Sequence, residues 1–479
     1  MTLAVLVLLP AVLGLVALYA TSVRFALTVL LVAAVLHLAG TGYLWTLSSG
    51  VELGWIFKLD ALGRLFLTIT SVLFLAASLY SIPYLTTGTH AEQAAPRRFV
   101  PCLLWFLSCM TLVVTTQHLA LMWAAVEGTT LASAPLVYFY KRKSALEAAW
   151  KYLLLCSVGI ALALLGTFFL GIAASGSTQP SSGLSLSAMM NVAPAMARPW
   201  LKAAFVLALV GYGTKMGLAP LHTWLPDTHS QAPSPVSALL SGALLNCAFL
   251  AILRFYQVCL ASGDAVFAKT LLITMGFISV AVACAFMMRQ RDYKRLFAYS
   301  SIENMGIMAI GVGLGGAATY GAMFHAVNHS VCKAGLFFLS GNVLREFGTT
   351  KASDVRGLVR RLPVTGVLMT VLFIAIGGVP PFGPFWGEFM IFQTAISTQV
   401  WMGVVFITLL GIAFLGMAGV LLPMLQGNAT ASASRPKEAT LSVITPLAMA
   451  CGTLALGIYL PPALSELLHQ TAGMLTGQP

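Results

Sequence analysis

Five ionisable residues stand inside stretches that are otherwise apolar: Glu127, Lys215, Glu303, Lys333 and Glu388. A charge in such surroundings costs several kcal/mol unless it is paired or hydrated, and chains keep one there for a task. Glu127 lies in Met122-Trp-Ala-Ala-Val-Glu-Gly128 with no other charge close in sequence, and Lys215 lies shortly before Pro220. Desolvation pulls an amine in such a place toward its neutral form and a carboxylate neighbour pulls it back, so a change of partner can hold or release its proton. The bland alternative for Glu127 and Lys215 is an ion pair that only fixes helix packing.

His325, His329 and Lys333 are spaced four apart, so on a helix they stack along one face. Imidazole titrates nearest to working pH, and two imidazoles below an amine form a ladder suited to handing protons along bound water. Metal binding by the two histidines competes with this, although no adjacent carboxylate or third histidine completes a site; passive packing also stays open. Glu388 offers a terminal acceptor for the ladder. Glu303, in Ser300-Ser-Ile-Glu303-Asn304, is either an intermediate relay or an interfacial residue. In His222-Thr-Trp-Leu-Pro-Asp-Thr-His229 the two imidazoles suit a proton entrance, whereas Asp227 reads as a helix cap. His37 and His118 are isolated, and ordinary packing accounts for them.

Helices in lipid must hold these residues. The chain has 479 residues, 59% hydrophobic and 8% charged, a balance that would precipitate a soluble domain. Apolar runs of about 20 residues, each enough to cross roughly 30 Å of hydrocarbon, recur from Leu3 to Tyr459. A barrel would instead need short alternating segments. The expected spans are 3–20, 24–47, 60–85, 99–115, 118–140, 147–172, 200–225, 233–260, 266–288, 293–312, 318–343, 363–394, 400–424 and 440–460. The fold class is therefore an all-α polytopic membrane protein of about fourteen transmembrane helices. The first run lacks a small-residue cleavage site and reads as a retained helix.

A net charge of +12 could point to nucleic acid, but the basic residues sit in short loops without interleaved aromatics, which excludes a nucleic-acid partner. Alternate loops hold seventeen of the 26 Lys and Arg, among them Arg97, Arg98, Arg435 and Lys437, whereas the opposite side holds Lys58, Arg64, Arg198, Lys202, Arg254 and Lys269. This bias predicts both termini outside the cytoplasm of a prokaryotic inner membrane. The eight cysteines lie in apolar segments with no C-x-x-C pair and read as packing residues.

Two spans contain breakers, at Gly217-Leu-Ala-Pro220 with Pro226, and at Gly377-Gly-Val-Pro-Pro-Phe-Gly-Pro384. Irregular backbone at membrane depth is tolerated where it is enclosed by protein or lines a wet cavity, so each break predicts a discontinuous helix beside a functional interior. The breaks fall in the seventh and twelfth spans, an odd offset that suggests two five-helix repeats of inverted topology. The expected organisation is 1–98 for helices one to three, 99–260 and 261–425 for the two repeats, and 426–479 for a cytoplasmic linker and helix fourteen. The segment 173–199, rich in Gly, Ser and Pro, reads as an outside loop.

The string from Lys215-Met-Gly-Leu-Ala-Pro-Leu-His222 through Ala232-Pro233 resembles the signature of the antiporter-like subunits of respiratory complex I, Mrp sodium/proton antiporters and membrane-bound hydrogenases. Lys294-Arg-Leu-Phe-Ala-Tyr-Ser-Ser301, His325-Ala-Val-Asn-His-Ser-Val-Cys-Lys333 and Pro380-Pro-Phe-Gly-Pro-Phe-Trp-Gly-Glu-Phe389 resemble further segments of that family in the same order, covering about residues 99–425. Within it, Tyr299-Ser-Ser-Ile-Glu-Asn-Met-Gly306 and Asn328-His-Ser-Val-Cys-Lys333 resemble the F component of hydrogenase-4, the formate-hydrogenlyase type.

The resemblance implies that Glu127 and Lys215 form the pair of a first half-channel, that Lys333 is a central lysine and that Glu388 belongs to the distal half-channel. Two departures stand out: Asn246 and Asn304 occupy places where relatives often carry Lys or His and His, respectively. The resemblance further implies a proton-translocating, non-redox subunit of a redox complex, with no cofactor or metal of its own. Its partners would be other membrane subunits, a peripheral redox arm, lipid, and protons or sodium. An Mrp-type sodium/proton antiporter subunit is the alternative, as is a membrane subunit energising inorganic-carbon uptake. An inert scaffold is the remaining reading, and retention of all the buried charges argues against it.

Overall fold

The computed structural model describes residues 2–47, 51–53, 57–86, 96–175, 183–427 and 438–476. Arg435 and Lys437 lie outside the described residues, as does the side chain of Arg97. The long helices are α1 (Thr2–Leu18), α2 (Val23–Thr46), α3 (Ala61–Thr86), α4 (Pro96–Thr115), α5 (Leu119–Val137) and α6 (Lys143–Ser175). The first interrupted rod follows as α7 (Arg198–Met216) and α8 (Trp224–Gln231). After it come α9 (Ser234–Ala261), α10 (Ala265–Met287), α11 (Tyr293–Leu314) and α12 (Gly316–Phe347). The second interrupted rod is α13 (Pro363–Ile376) with α14 (Gly383–Thr398), followed by α15 (Val400–Gln426), α16 (Thr440–Ile458) and α17 (Pro462–Thr476).

Each of the fourteen expected spans coincides with one helix or one interrupted rod. Among the described residues, nine helices are by themselves long and apolar enough to cross a membrane. Those that fall short include α7, α11 and α12, which carry the polar side chains discussed below on faces enclosed by neighbours. A helix whose surroundings are protein is free to be polar. Conversely, α6 and α15 turn Leu154, Val158, Phe168, Val404 and Leu415 outward, as lipid-facing helices must.

Close approach of the backbones holds the rods in register. A methyl group on Gly211 of α7 would meet the Gly159 carbonyl and the Ala163 amide of α6 at 2.6 Å, so only glycine lets these helices touch there. Several elements among the described residues have no counterpart in the expected organisation. A hairpin pairs Val51–Leu53 with Phe57–Leu59, the segment 173–199 contains a helix at Leu186–Val192, and α17 follows the fourteenth span. Leu186 N donates to the Gln117 carbonyl and Leu119 N to the Leu184 carbonyl, so the described part of that segment is tied to the α4–α5 corner.

The loops sort onto two faces. On one, Asp227 pairs with Lys151 and Arg295, and Asp292 accepts from Ser230 and Thr350. On the other, Arg254 holds Asp60 and Lys202 holds Asp264. The first turn of α11, which carries Arg295, therefore lies at the same end as Lys151 and Asp227.

Candidate functional site: a buried polar axis

Lys215 is fully buried in the last turn of α7, just before the first break. The helix ends there because Gly217 takes a left-handed conformation (φ 86°), letting Leu218 N reach back to the Gly213 carbonyl at 2.8 Å. Trp224 Nε1 donates to the Thr214 carbonyl at 2.7 Å, and Ser279 Oγ accepts from Ala219 N at 2.9 Å, so the interrupted backbone is satisfied from inside the protein.

Glu127 and Lys215 make no direct ion pair. Lys215 Nζ donates to Thr130 Oγ1 at 2.8 Å, and Thr130 Oγ1 donates to Glu127 Oε2 at 3.3 Å. The second carboxylate oxygen accepts from Ser157 Oγ at 2.7 Å. Lys215 Nζ also donates to Tyr152 OH at 2.7 Å, which shares a hydrogen bond with Ser133 Oγ at 2.7 Å. The expected pair is thus a carboxylate and an amine with a hydroxyl between them, a geometry in which one proton shift re-addresses every bond. Sequence reading missed Thr130, Tyr152, Ser133 and Ser157, because a hydroxyl in mid-span is commonplace.

His325, His329 and Lys333 are completely buried on α12, as the four-residue spacing predicts. His325 Nε2 bonds to Asn304 Oδ1 at 2.8 Å, and Lys333 Nζ donates to the Phe297 carbonyl of α11 at 3.0 Å. Both ring nitrogens of His329 lack a partner among the described residues, as does Nδ1 of His325. Buried polar atoms of this kind are the ones internal water serves. Glu303 of α11 is buried and lies within electrostatic reach of Lys333 and of Glu388.

Glu388 sits in the first turns of α14, just past the second break. Its carboxylate packs against Gly378, whose φ of 68° and lack of a side chain both matter: any Cβ there would overlap the carboxylate. Gly378→Ala is expected to cost about 1–2 kcal/mol from the left-handed backbone alone and to displace Glu388. A thermal unfolding shift together with impaired transport would register both; an unaltered protein would reject the packing argument.

His229 is fully buried at the end of α8, stacked on Phe337 at 4.8 Å with both nitrogens unpartnered among the described residues, whereas His222 lies at the break beside Tyr299 and Phe286. Asp227 is not a cap. No side chain caps α8, and Asp227 instead binds Lys151 of α6 at 3.2 Å and Arg295 of α11, because α8 passes between those helices. Asn246 follows a π-helical turn at Leu240–Leu244, donating to Ser330 Oγ at 2.7 Å and to the Gly242 carbonyl at 2.8 Å. It therefore joins α9 to α12 by a neutral bond, and near it Ser241 and Ser301 share one at 2.7 Å. His37 bonds to Thr111 and Ser71, and His118 caps α5, both structural roles.

Two interrupted helices with ionisable groups at their breaks, with polar side chains between them along a central long helix, mark a membrane subunit of the antiporter-like class. The chain belongs to the NADH:quinone oxidoreductase/Mrp antiporter transmembrane family, whose pattern matches residues 116–414. It is 35% identical to a hydrogenase-4 component F homolog of Methylacidiphilum infernorum over 88% of this chain and 89% of that one. Its fold superposes with a TM-score of 0.88 on a chain of an archaeal membrane-bound sulfane sulfur reductase (21% identity, 99% and 97% of the chains covered). With a chain of respiratory complex I from Thermus thermophilus the TM-score is 0.78, at 25% identity over 96% and 97% of the chains.

Proposed function

We propose that this chain is the proton-translocating membrane subunit of a multisubunit redox complex of the hydrogenase-4 or complex I kind. Protons would move from Glu127 and Lys215, through the α9 seam and the histidines of α12, to Lys333 and Glu388, with residues 99–260 and 261–425 each supplying a half-channel. The observation that carries this reading is the Glu127–Thr130–Lys215 relay at the first break.

A signal from a neighbouring redox module would separate Glu127 from Lys215, and the amine would then release its proton toward Lys333. Moving one charge against 100 mV costs about 2.3 kcal/mol, and one pKa unit is about 1.36 kcal/mol. A change of a few units on one lysine is therefore enough to drive transfer. His222 and His229 would serve the entrance. The basic loops support placing that entrance on the cytoplasmic side of a prokaryotic inner membrane, with both termini on the outer side.

Donor-driven acidification by the intact complex in inverted vesicles tests the reading. Acidification that proceeds at full rate without sodium is expected; strict sodium dependence would favour the Mrp-type sodium/proton alternative, which the family description also admits.

A further inference from the structure

A cavity of about 850 Å³ opens on the face of the bundle away from the basic loops. Four regions meet there: the start of α10, the α11–α12 junction, the outer half of α14, and α17. Its polar side chains are Lys269, Tyr320, Gln393, His469 and Thr476, with Gly315 and Gly316 at the α11–α12 junction. The junction glycines are left-handed (φ 83° and 55°), and the Lys269 ammonium lies beside Gly315, within 3.6 Å of where a Cβ would stand. His469 packs against the Tyr320 ring at 4.6 Å, so α17 is held over the cavity rather than splayed from it.

The charge of this lining is one-sided. Among the described residues it contains no Asp or Glu, and Lys269 makes no ion pair. Glu466, the acid nearest to His469 in sequence, accepts from Gln470 Nε2 at 3.0 Å. Leu314, Met390 and Ala472 add apolar wall, so cationic and hydrogen-bonding groups share the cavity with apolar ones. An unpaired ammonium at the edge of a bilayer attracts an anion, and the mixed wall matches a molecule that is anionic at one end and apolar at the other.

We infer that this cavity binds a phosphate-bearing anion, and that its occupant is the headgroup of an anionic phospholipid from that leaflet. Lys269 and His469 hold the phosphate, while Tyr320 and Gln393 bond its oxygens and Leu314 and Met390 receive the first methylenes. Free phosphate shares the headgroup chemistry and is the other source. Binding is read without transport, so this inference and the proposed function stand or fall separately.

The test uses the full chain purified with its complex in mild detergent. Retention of phosphatidylglycerol and phosphatidylcholine is compared by native mass spectrometry, with inorganic phosphate as competitor. The expected result is about fivefold preference for phosphatidylglycerol, lost in Lys269→Gln with His469→Gln and kept in Lys269→Arg. Equal retention of the two lipids, or a double variant that still prefers phosphatidylglycerol, overturns the site. Displacement by inorganic phosphate at equal concentration overturns the lipid as its occupant. An unchanged unfolding temperature in the double variant shows that lost binding is not lost folding.

Discussion

Lys215→Ala and Glu127→Ala are each expected to lower coupled proton translocation by about a hundredfold or more, the scale of removing a positioned acid or base, while the complex still assembles. The sharper experiment concerns the hydroxyl between them. Thr130→Val keeps the shape of a buried, helix-borne side chain and deletes the hydroxyl that touches both Lys215 Nζ and Glu127 Oε2. It leaves Lys215 with Tyr152, at 2.7 Å, as its remaining side-chain hydrogen-bond partner among the described residues, and losing one hydrogen bond to a buried charge costs about 1–3 kcal/mol. Transport by Thr130→Val should therefore fall about tenfold, whereas Thr130→Ser should retain most of it. Proton uptake by reconstituted complex, normalised to subunit content, is the measurement. Normal pumping by Lys215→Ala or Glu127→Ala would overturn the relay, and equal rates for the valine and serine variants would remove Thr130 from it.

The second large effect concerns folding. Arg254 of α9 has no exposed side-chain surface, and its guanidinium clasps Asp60 at 2.5 and 2.8 Å, with Gln117 Nε2 adding a third bond to that carboxylate at 3.0 Å. Asp60 also accepts from Gly63 N at 2.8 Å, so it opens α3 as well as anchoring α9. Removing one partner of such a pair strands the other charge, at a cost of about 3–5 kcal/mol, whereas replacing both with apolar groups of similar volume is often neutral. Asp60→Ala is expected to lower the unfolding temperature and the yield of assembled complex sharply. Asp60→Ala combined with Arg254→Met should recover most of the loss, because no unpaired charge is left. A double variant as unstable as the single one would mean that the pair supplies specific geometry that packing cannot replace.

The Asp60–Arg254 scaffold and the proposed relay occupy different parts of the molecule. The Asp60–Arg254 clasp lies at the end of the bundle away from the basic loops, and the partners it engages, Gly63, Gln117 and Gln257, are not residues of the axis. Its loss should reduce the amount of complex more than the turnover of what remains. The Thr130 hydroxyl lies within the axis, and its loss should do the reverse. Measuring both quantities on both variants therefore tests whether the two tasks are independent.

Much of this was legible in the sequence because lipid imposes simple rules. Spans follow from length and apolarity, and the breaks from Gly217, Pro220, Gly378 and Pro380 in runs that are otherwise continuous. The candidate conductors follow from the cost of charge at depth. Spacing alone set His325, His329 and Lys333 on one face of α12. Partners did not follow. Asp60 and Arg254 are 194 residues apart, and Arg254 reads as one more basic residue near a span end until α3 and α9 are brought together. Asp227 reads as a cap until α8 is seen to pass between Lys151 and Arg295.

That the chain lives in a membrane, where its rods are interrupted and which side chains are too costly to be there by accident can all be read along the polypeptide. Each is a one-body property, the price of placing one residue or one segment in hydrocarbon. Folding in three dimensions adds that Thr130 stands between Glu127 and Lys215, that Glu303 lies within electrostatic reach of both Lys333 and Glu388, and that Lys269 and His469 share a cavity under α17. Those are pair properties. They depend on which helix faces are neighbours, and in lipid that choice is made by close packing and hydrogen bonding between helices rather than by the pattern along any one of them.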